Sequence, residues 1–332
     1  MADLADPKGR VVRGSKHILR SGLQRHFEQS ISGNPYMPDR ERPISHMYTR
    51  PKPGRLQGRQ GFPVAKPSVS LWNGVMSTFK VLQFNMQFGQ PWDDANPEHA
   101  PIDLDRTIAE IRRHDADIIL LQEVEQARVD GVQSEAPPNY ARLRTEFAGY
   151  EAYFSFPKAD PRELPFGIGQ AIFSRTPLRE TMRLDLPSPP VPFEFLGEKK
   201  TPTDRLIISA ETTVAGQSLR VFNTHLLAFF MLGSSSEKNP GQRRLVVEQL
   251  KASKGATLLG GDFNVSNHAS LVRQFDAEGF RTVQATEITW RRRPYVLDHL
   301  FYSKHLRVVS HAVIPTMSSD HHALMGEFEF VV

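Results

Sequence analysis

The sequence predicts a mixed-sheet α/β (α+β) domain of roughly 255 residues, from residue 78 to the C-terminus. Three observations predict it. Short apolar runs bounded by Gly, Pro, Asn or Asp recur throughout this region, which is strand patterning. Segments with apolar residues at helical spacing lie between some of them, so helices cross over between strands. Other runs are joined by a tight turn, so hairpins are present as well.

Residues 78–84 (TFKVLQF) alternate as a strand that ends at Asn85. Residues 104–113 place apolar side chains at 104, 108 and 111, one face of a helix. DIILL at 117–121 is a short buried strand ending at Gln122 and Glu123. A short helix is expected within 138–147, followed by strands at 150–154 and 169–173. Residues 187–203 form a proline-rich excursion. Strands at 205–213 and 218–224 flank Ala215-Gly216 as a hairpin. GQRRLVVEQLK at 241–251 is an amphipathic helix, 256–259 a strand and 269–278 a helix. Strands at 296–302, 307–314 and 322–331 complete the set.

Composition bounds the function. There is no Cys, which excludes disulfides, thiolate metal sites and a Cys nucleophile. The longest apolar patch near the middle, LLAFFML at 226–232, is too short to span a bilayer, which needs about 20 residues. No signal-peptide core follows the basic start, and the expected location is intracellular. The net charge is +4, but residues 1–70 hold 13 Lys and Arg against 5 Asp and Glu, leaving 28 against 32 for the rest. The basic charge therefore belongs to an N-terminal extension, residues 1–77, rich in Pro and Gly. It is expected to be partly disordered or packed on the domain, with a short amphipathic helix at 11–29. The acidic body argues against a tight grip on duplex DNA.

Six strand ends carry polar residues capable of chemistry. They are Asn85, Glu123, Asn223-Thr224-His225, Asp262 with Asn264, Asp298-His299, and Ser319-Asp320-His321-His322. The stretch LLGGDFNV at 258–265 shows the type. Gly260 and Gly261 are expected to free the backbone where the chain turns. Asp262 and Asn264, two apart on an extended chain, face the same side. An Asx turn capping the strand explains the same residues equally well. Six such sets in one chain favour a site.

The segments VLQFNMQF, LLQEVE, GIGQAIFSRTPL, VFNTHLLAF, GQRRLVVEQL, LLGGDFNV, LDHLFYS and SSDHHALMGEF, in that order, resemble the endonuclease/exonuclease/phosphatase superfamily, a DNase I-like group of metallophosphoesterases. The resemblance covers residues 78–332. It implies a four-layer sandwich, two mixed β-sheets packed face to face with helices outside. It implies a hydrolase that cleaves phosphoesters with Mg²⁺, or Mn²⁺ in its place. Glu123 is then the main metal ligand, with Asn85 and Asp320 beside it. Asp262 activates the attacking water and Asn264 donates to the scissile phosphate. Asp298 and His321 resemble the family's Asp–His pair, and His225 its second histidine. Asn85 and Asn223 are candidates for holding substrate. So are Trp290 and Arg291, in a WRRR segment suited to stacking and to clamping phosphate. The favoured substrate is a phosphodiester in nucleic acid or a nucleotide. The alternatives are a phospholipid- or inositol-directed phosphoesterase, with LLAFFML touching lipid, and a non-catalytic binding module. The oligomeric state is not predicted.

Overall fold

A computed structural model describes residues 78–331, apart from 98, 129, 130, 135, 165 and 196. The expectations for the N-terminal extension lie outside the described residues. Sheet A contains β1 (Phe79–Asn85), β2 (Ile118–Gln126), β3 (Glu151–Ser155), β4 (Gly167–Ser174), β13 (Leu306–Ile314) and β14 (Ala323–Phe330). Its strand order is β13-β14-β1-β2-β4-β3. Sheet B contains β5 (Arg179–Leu186), β8 (Arg205–Val214), β9 (Gln217–His225), β10 (Thr257–Asp262), β11 (Phe280–Thr282) and β12 (Asp298–Ser303). Its order is β11-β12-β10-β9-β8-β5. Both sheets are mixed, with β1 parallel to β2 and β9 parallel to β10.

Period-two patterning on strands buried on both faces assembles the layers. In β1, Val81 joins the core between the sheets, while Leu82 and Phe84 point outward. In β10, Leu258 points inward and Leu259 outward. The inner core joins Val81, Ile118 and Leu120 of sheet A to Val221, Leu258 and Leu300 of sheet B. The outer face of sheet A is covered by α1 (Leu104–Arg113), through Ile108 and Ile111, and by α2 (Pro138–Glu146), through Leu143. The outer face of sheet B is covered by α3 (Gly241–Ala252) and α4 (His268–Ala277), through Val246, Leu250, Leu271 and Phe275. The result is the four-layer α/β sandwich. The Asp103 carboxylate caps α1 by accepting from Arg106 N–H at 3.0 Å.

Four strands escape the sequence reading. β5 and β11 are edge strands of sheet B, and the proline-rich excursion holds a hairpin of β6 (Phe193–Phe195) and β7 (Glu198–Lys200). No described helix is long and apolar enough to cross a membrane. In LLAFFML, Leu226, Leu227 and Phe229 are buried, the other four residues are half-buried, and Phe229–Leu232 form one 3-10 turn.

Candidate active site

The side chains facing across the two sheets change in character along the strands. Val81, Leu120, Val221, Leu258 and Leu300 form an apolar level. Gln83, Gln122 and Asn223 follow, one step further along β1, β2 and β9, all 0% exposed. Asn85, His225, Asp262 and Asp298 come last, at the edge of the core. Register makes this edge a site. Asp262 pairs with His225 across the parallel β10–β9 ladder and with Asp298 across the antiparallel β10–β12 ladder. Three ionisable groups thus stand side by side on adjacent strands of sheet B, and Asn85 and Glu123 face them from sheet A.

Glu123 reaches the site through a backbone irregularity. The β2–β4 register shifts between Gln122 and Glu125, and Glu123 adopts φ 49°. A non-glycine residue in that region costs about 1 kcal/mol or more, and such strain concentrates at functional positions. Gly167 makes room: a Cβ there would lie 2.4 Å from Glu123 Cβ and 2.0 Å from its Oε2.

The contacts form one continuous chain. The Asn85 amide N–H₂ donates to Glu123 Oε1 at 3.0 Å and to Asp262 Oδ2 at 3.1 Å. Asp262 Oδ2 also lies 3.6 Å from His225 Nε2 and 3.6 Å from His321 Nε2. His321 Nδ1 donates to Asp298 Oδ2 at 2.8 Å. Ser319 anchors this loop, with Oγ donating to the Asn85 carbonyl at 2.7 Å and accepting from His321 N–H at 3.1 Å.

Burial and charge set the protonation. Burial raises the Glu123 and Asp262 carboxyl pKa values, and neighbouring carboxylates add to this. For His321 burial opposes the charge, but the Asp298 and Asp262 carboxylates outweigh it and hold the ring as imidazolium. His225 goes the other way: burial, then the Arg205 and His321 charges, keep it neutral. Two histidines on one carboxylate therefore differ in charge.

The donor set fits a hard divalent cation. One oxygen each of Glu123 and Asp262 and a nitrogen of His225 converge within 4.8 Å, and Asp262, Asp298 and His321 form a second such group. The raised pKa values of the two buried carboxyls show that their charged forms lack a compensating cation, and oxygen ligands suit Mg²⁺ or Mn²⁺.

The structure gives several of the expected site residues other partners. Asn85 is not placed as a metal ligand: its Oδ1 accepts from Gln87 N–H at 3.1 Å, which turns the N–H₂ toward the carboxylates, and a donor group does not ligate a cation. Asp320 belongs to neither cluster. Its Oδ2 accepts from Trp290 Nε1 at 3.1 Å and Arg292 Nε at 2.6 Å. Burial pushes its pKa up, but Arg292 and His321 outweigh this and the carboxylate stays ionised. Asn223 does not face substrate: it is sealed between the sheets, donating to the carbonyls of Leu121 and Ala171, both at 2.9 Å. Trp290 is 7% exposed, with its indole N–H on Asp320, so it holds the loop rather than offering a face. The Arg291 guanidinium is turned onto the Thr316 carbonyl, 3.0 Å from Nε. The segment also pairs with the His321 loop, through Arg291 N–H to Asp320 O and His322 N–H to Thr289 O. Asn264 is not on an extended chain: it has φ 50°, and its N–H donates to Asp262 Oδ1 at 2.9 Å. The Asx turn is thus real, and it orients Asp262. The Asn264 amide donates to Leu226 O at 3.1 Å. Gly260 and Gly261 lie inside β10 rather than at a turn. A Cβ on Gly260 would meet Leu120 at 2.4 Å, and one on Gly261 the Thr224 carbonyl at 2.2 Å. Sequence reasoning missed Gln83 and Gly167, and gave Gln122, Arg292 and Ser319 no role of their own. Gln83 and Gln122 carried a readable signal, a polar residue within an otherwise apolar strand.

A family model described as the Endonuclease/Exonuclease/phosphatase family matches residues 82–321. None of the curated proteins matches the chain. Among solved structures, an endonuclease/exonuclease/phosphatase from Beutenbergia cavernae is similar at 19% identity and TM-score 0.59, over 76% of this chain and 72% of that one. The human Nocturnin catalytic domain with bound sulfate is similar at 20% identity and TM-score 0.52, over 76% and 94%. A mannosyl-6-phosphatase from Bacteroides thetaiotaomicron is similar at 17% identity and TM-score 0.55, over 76% and 100%. At these identities the likeness is one of fold.

Proposed function

The chain belongs to the Endonuclease/Exonuclease/phosphatase family, and from that premise we propose that it is a divalent-metal-dependent phosphodiesterase acting on nucleic acid or a nucleotide. The observation that carries the chemistry is Asp262, flanked in register by His225 and Asp298 and linked through Asn85 to Glu123.

Glu123 and His225 would hold Mg²⁺ or Mn²⁺ beside Asp262. When bound, the ion supplies Lewis-acid stabilisation of charge on the phosphoryl oxygens. The protein does the rest. Asp262 Oδ1 is fixed by Asn264 N–H, so Oδ2 keeps one direction and can orient a water or take its proton. A carboxyl raised by burial is a stronger base than an exposed one. His321, held by Asp298, presents an imidazolium N–H where negative charge develops. Asn85 bridges the two carboxylates by donating to both, which offsets their mutual repulsion. Neutral His225 offers Nε2 as a ligand or proton carrier.

The test uses bis-p-nitrophenyl phosphate, p-nitrophenyl phosphate, an oligonucleotide and sphingomyelin vesicles, each with Mg²⁺ and with Mn²⁺. The proposal expects hydrolysis of the diester and the oligonucleotide, abolished by EDTA and restored by added metal. Hydrolysis that is insensitive to EDTA, or confined to the monoester or the vesicles, contradicts it.

A further inference from the structure

Directly beneath the charged edge, three buried amides link the sheets. The Asn223 N–H₂ donates to two backbone carbonyls, Leu121 O and Ala171 O, both at 2.9 Å. Asn223 Oδ1 accepts from Gln122 Nε2 at 2.7 Å. Gln122 Oε1 accepts from Gln83 Nε2 at 2.7 Å, and the same Gln83 nitrogen donates to Asp298 Oδ1 at 2.9 Å. Asp298 Oδ2 holds His321. All four of Gln83, Gln122, Asn223 and Asp298 are 0% exposed.

The direction of this chain is fixed at its far end. An amide side chain can be turned over, exchanging donor for acceptor, unless its partners forbid it. Backbone carbonyls only accept, so Asn223 must present N–H₂ to Leu121 and Ala171 and oxygen to Gln122. Gln122 must then present N–H₂ to Asn223 and oxygen to Gln83. Gln83 is left with N–H₂ facing both Gln122 Oε1 and Asp298 Oδ1. The opposite orientation would set its oxygen against two oxygens.

We infer that Gln83 is a positioning residue for the Asp298–His321 pair, and that Gln122 and Asn223 set its polarity. One Asp298 oxygen takes the Gln83 N–H and the other takes the His321 N–H. The carboxylate cannot rotate without losing one of them. Buried without the Gln83 donor, Asp298 would have a free oxygen and an unfixed plane, and the imidazolium would lose its aim. Partners one step behind a site's reacting groups are worth about 10–100-fold in activity.

The inference rests on the proposed hydrolytic role of this site, so its test has two independent readouts. Gln83→Met keeps the volume and removes the donor. The first readout is kcat and KM on bis-p-nitrophenyl phosphate with Mg²⁺, alone and combined with His321→Ala. The expected result is a fall in kcat of about tenfold or more, KM nearly unchanged, and no further fall when His321 is already absent. The second readout is the ¹⁵N–¹H resonance of the His321 ring in folded protein without substrate, assigned by its loss in His321→Ala. It should shift in Gln83→Met. If wild-type protein hydrolyses none of the phosphoesters, the functional reading fails and the ring resonance alone decides this inference. If Gln83→Met does not fold, Gln83→Leu, which also removes the donor, is read by the same two measurements. An unmoved ring resonance overturns the inference. So does a kcat loss equally large with and without His321.

Discussion

Gly167 lies against Glu123 so closely that a Cβ on the glycine would stand 2.4 Å from Glu123 Cβ. This explains how a glutamate can sit at φ 49° in the middle of a strand and still point into the site. Gly167→Ala should therefore displace Glu123 while leaving the sandwich assembled. The expected outcome is a loss of hydrolysis of about 10–100-fold, with an unchanged far-UV circular dichroism spectrum and weakened Mn²⁺ binding in calorimetry. Unchanged Mn²⁺ affinity would show that Glu123 is not held by this contact.

The Asp298–His321 pair predicts a second outcome. Asp298→Asn keeps the shape but removes the charge that holds His321 as imidazolium. The rate on bis-p-nitrophenyl phosphate should drop by about 100-fold or more. A rate within a factor of three of wild type, in roughly the scatter of such measurements, counts against the pair.

Asp320 and Arg292 give a stability prediction. Arg292→Met leaves a largely buried carboxylate without its cation. The cost should be about 3 kcal/mol, read from urea unfolding. Adding Asp320→Asn should recover most of it, because the stranded charge is then gone. If the double variant is no more stable than the single one, the pair is not what Arg292 supports.

His299 sets a pH dependence. The ring is buried, stacks on Phe301 at 5.2 Å between centroids, and burial lowers its pKa to about 4. The unfolded ring takes a proton near its ordinary value of 6.5 and the folded one does not until about 4. The unfolded state therefore binds more protons in that window. The contribution is full above pH 6.5 and is lost as the pH falls toward 4, by about 3 kcal/mol in all. His299→Phe should flatten this part of the curve, comparing urea unfolding at pH 8 and pH 4.5. An equal drop in wild type and variant would contradict the account.

Much of this was legible in the sequence. Helix α1 and the strands around the site follow from period and turn residues, and Glu123, His225, Asp262, Asp298 and His321 lie close together. What the sequence hides is direction. Asn223 reads as an active-site amide because it sits two residues before His225, yet that spacing only places both on the inner face, one level deeper. Trp290 and Arg291 read as substrate contacts, but a bridge to the His321 loop turns them inward. Strand β5 was readable, since Met182, Leu184 and Leu186 alternate, but its charged residues mask the run. β11 has only three residues, too few for any period to show.

We propose that the extension and the domain are separable. Deleting residues 1–70 should leave the unfolding midpoint and the hydrolysis rate unchanged. A truncated protein that fails to fold would show that the extension completes the core.

The central claim is that Asp262 is the base at the centre of a metal-dependent site. The most direct measurement compares wild type and Asp262→Ala in Mg²⁺-dependent hydrolysis of bis-p-nitrophenyl phosphate, with unfolding followed in parallel. The account predicts a rate loss of about 1,000-fold or more in a protein that unfolds no earlier than wild type, because a buried carboxyl with a raised pKa is removed. A folded Asp262→Ala protein that turns over at the wild-type rate would contradict it.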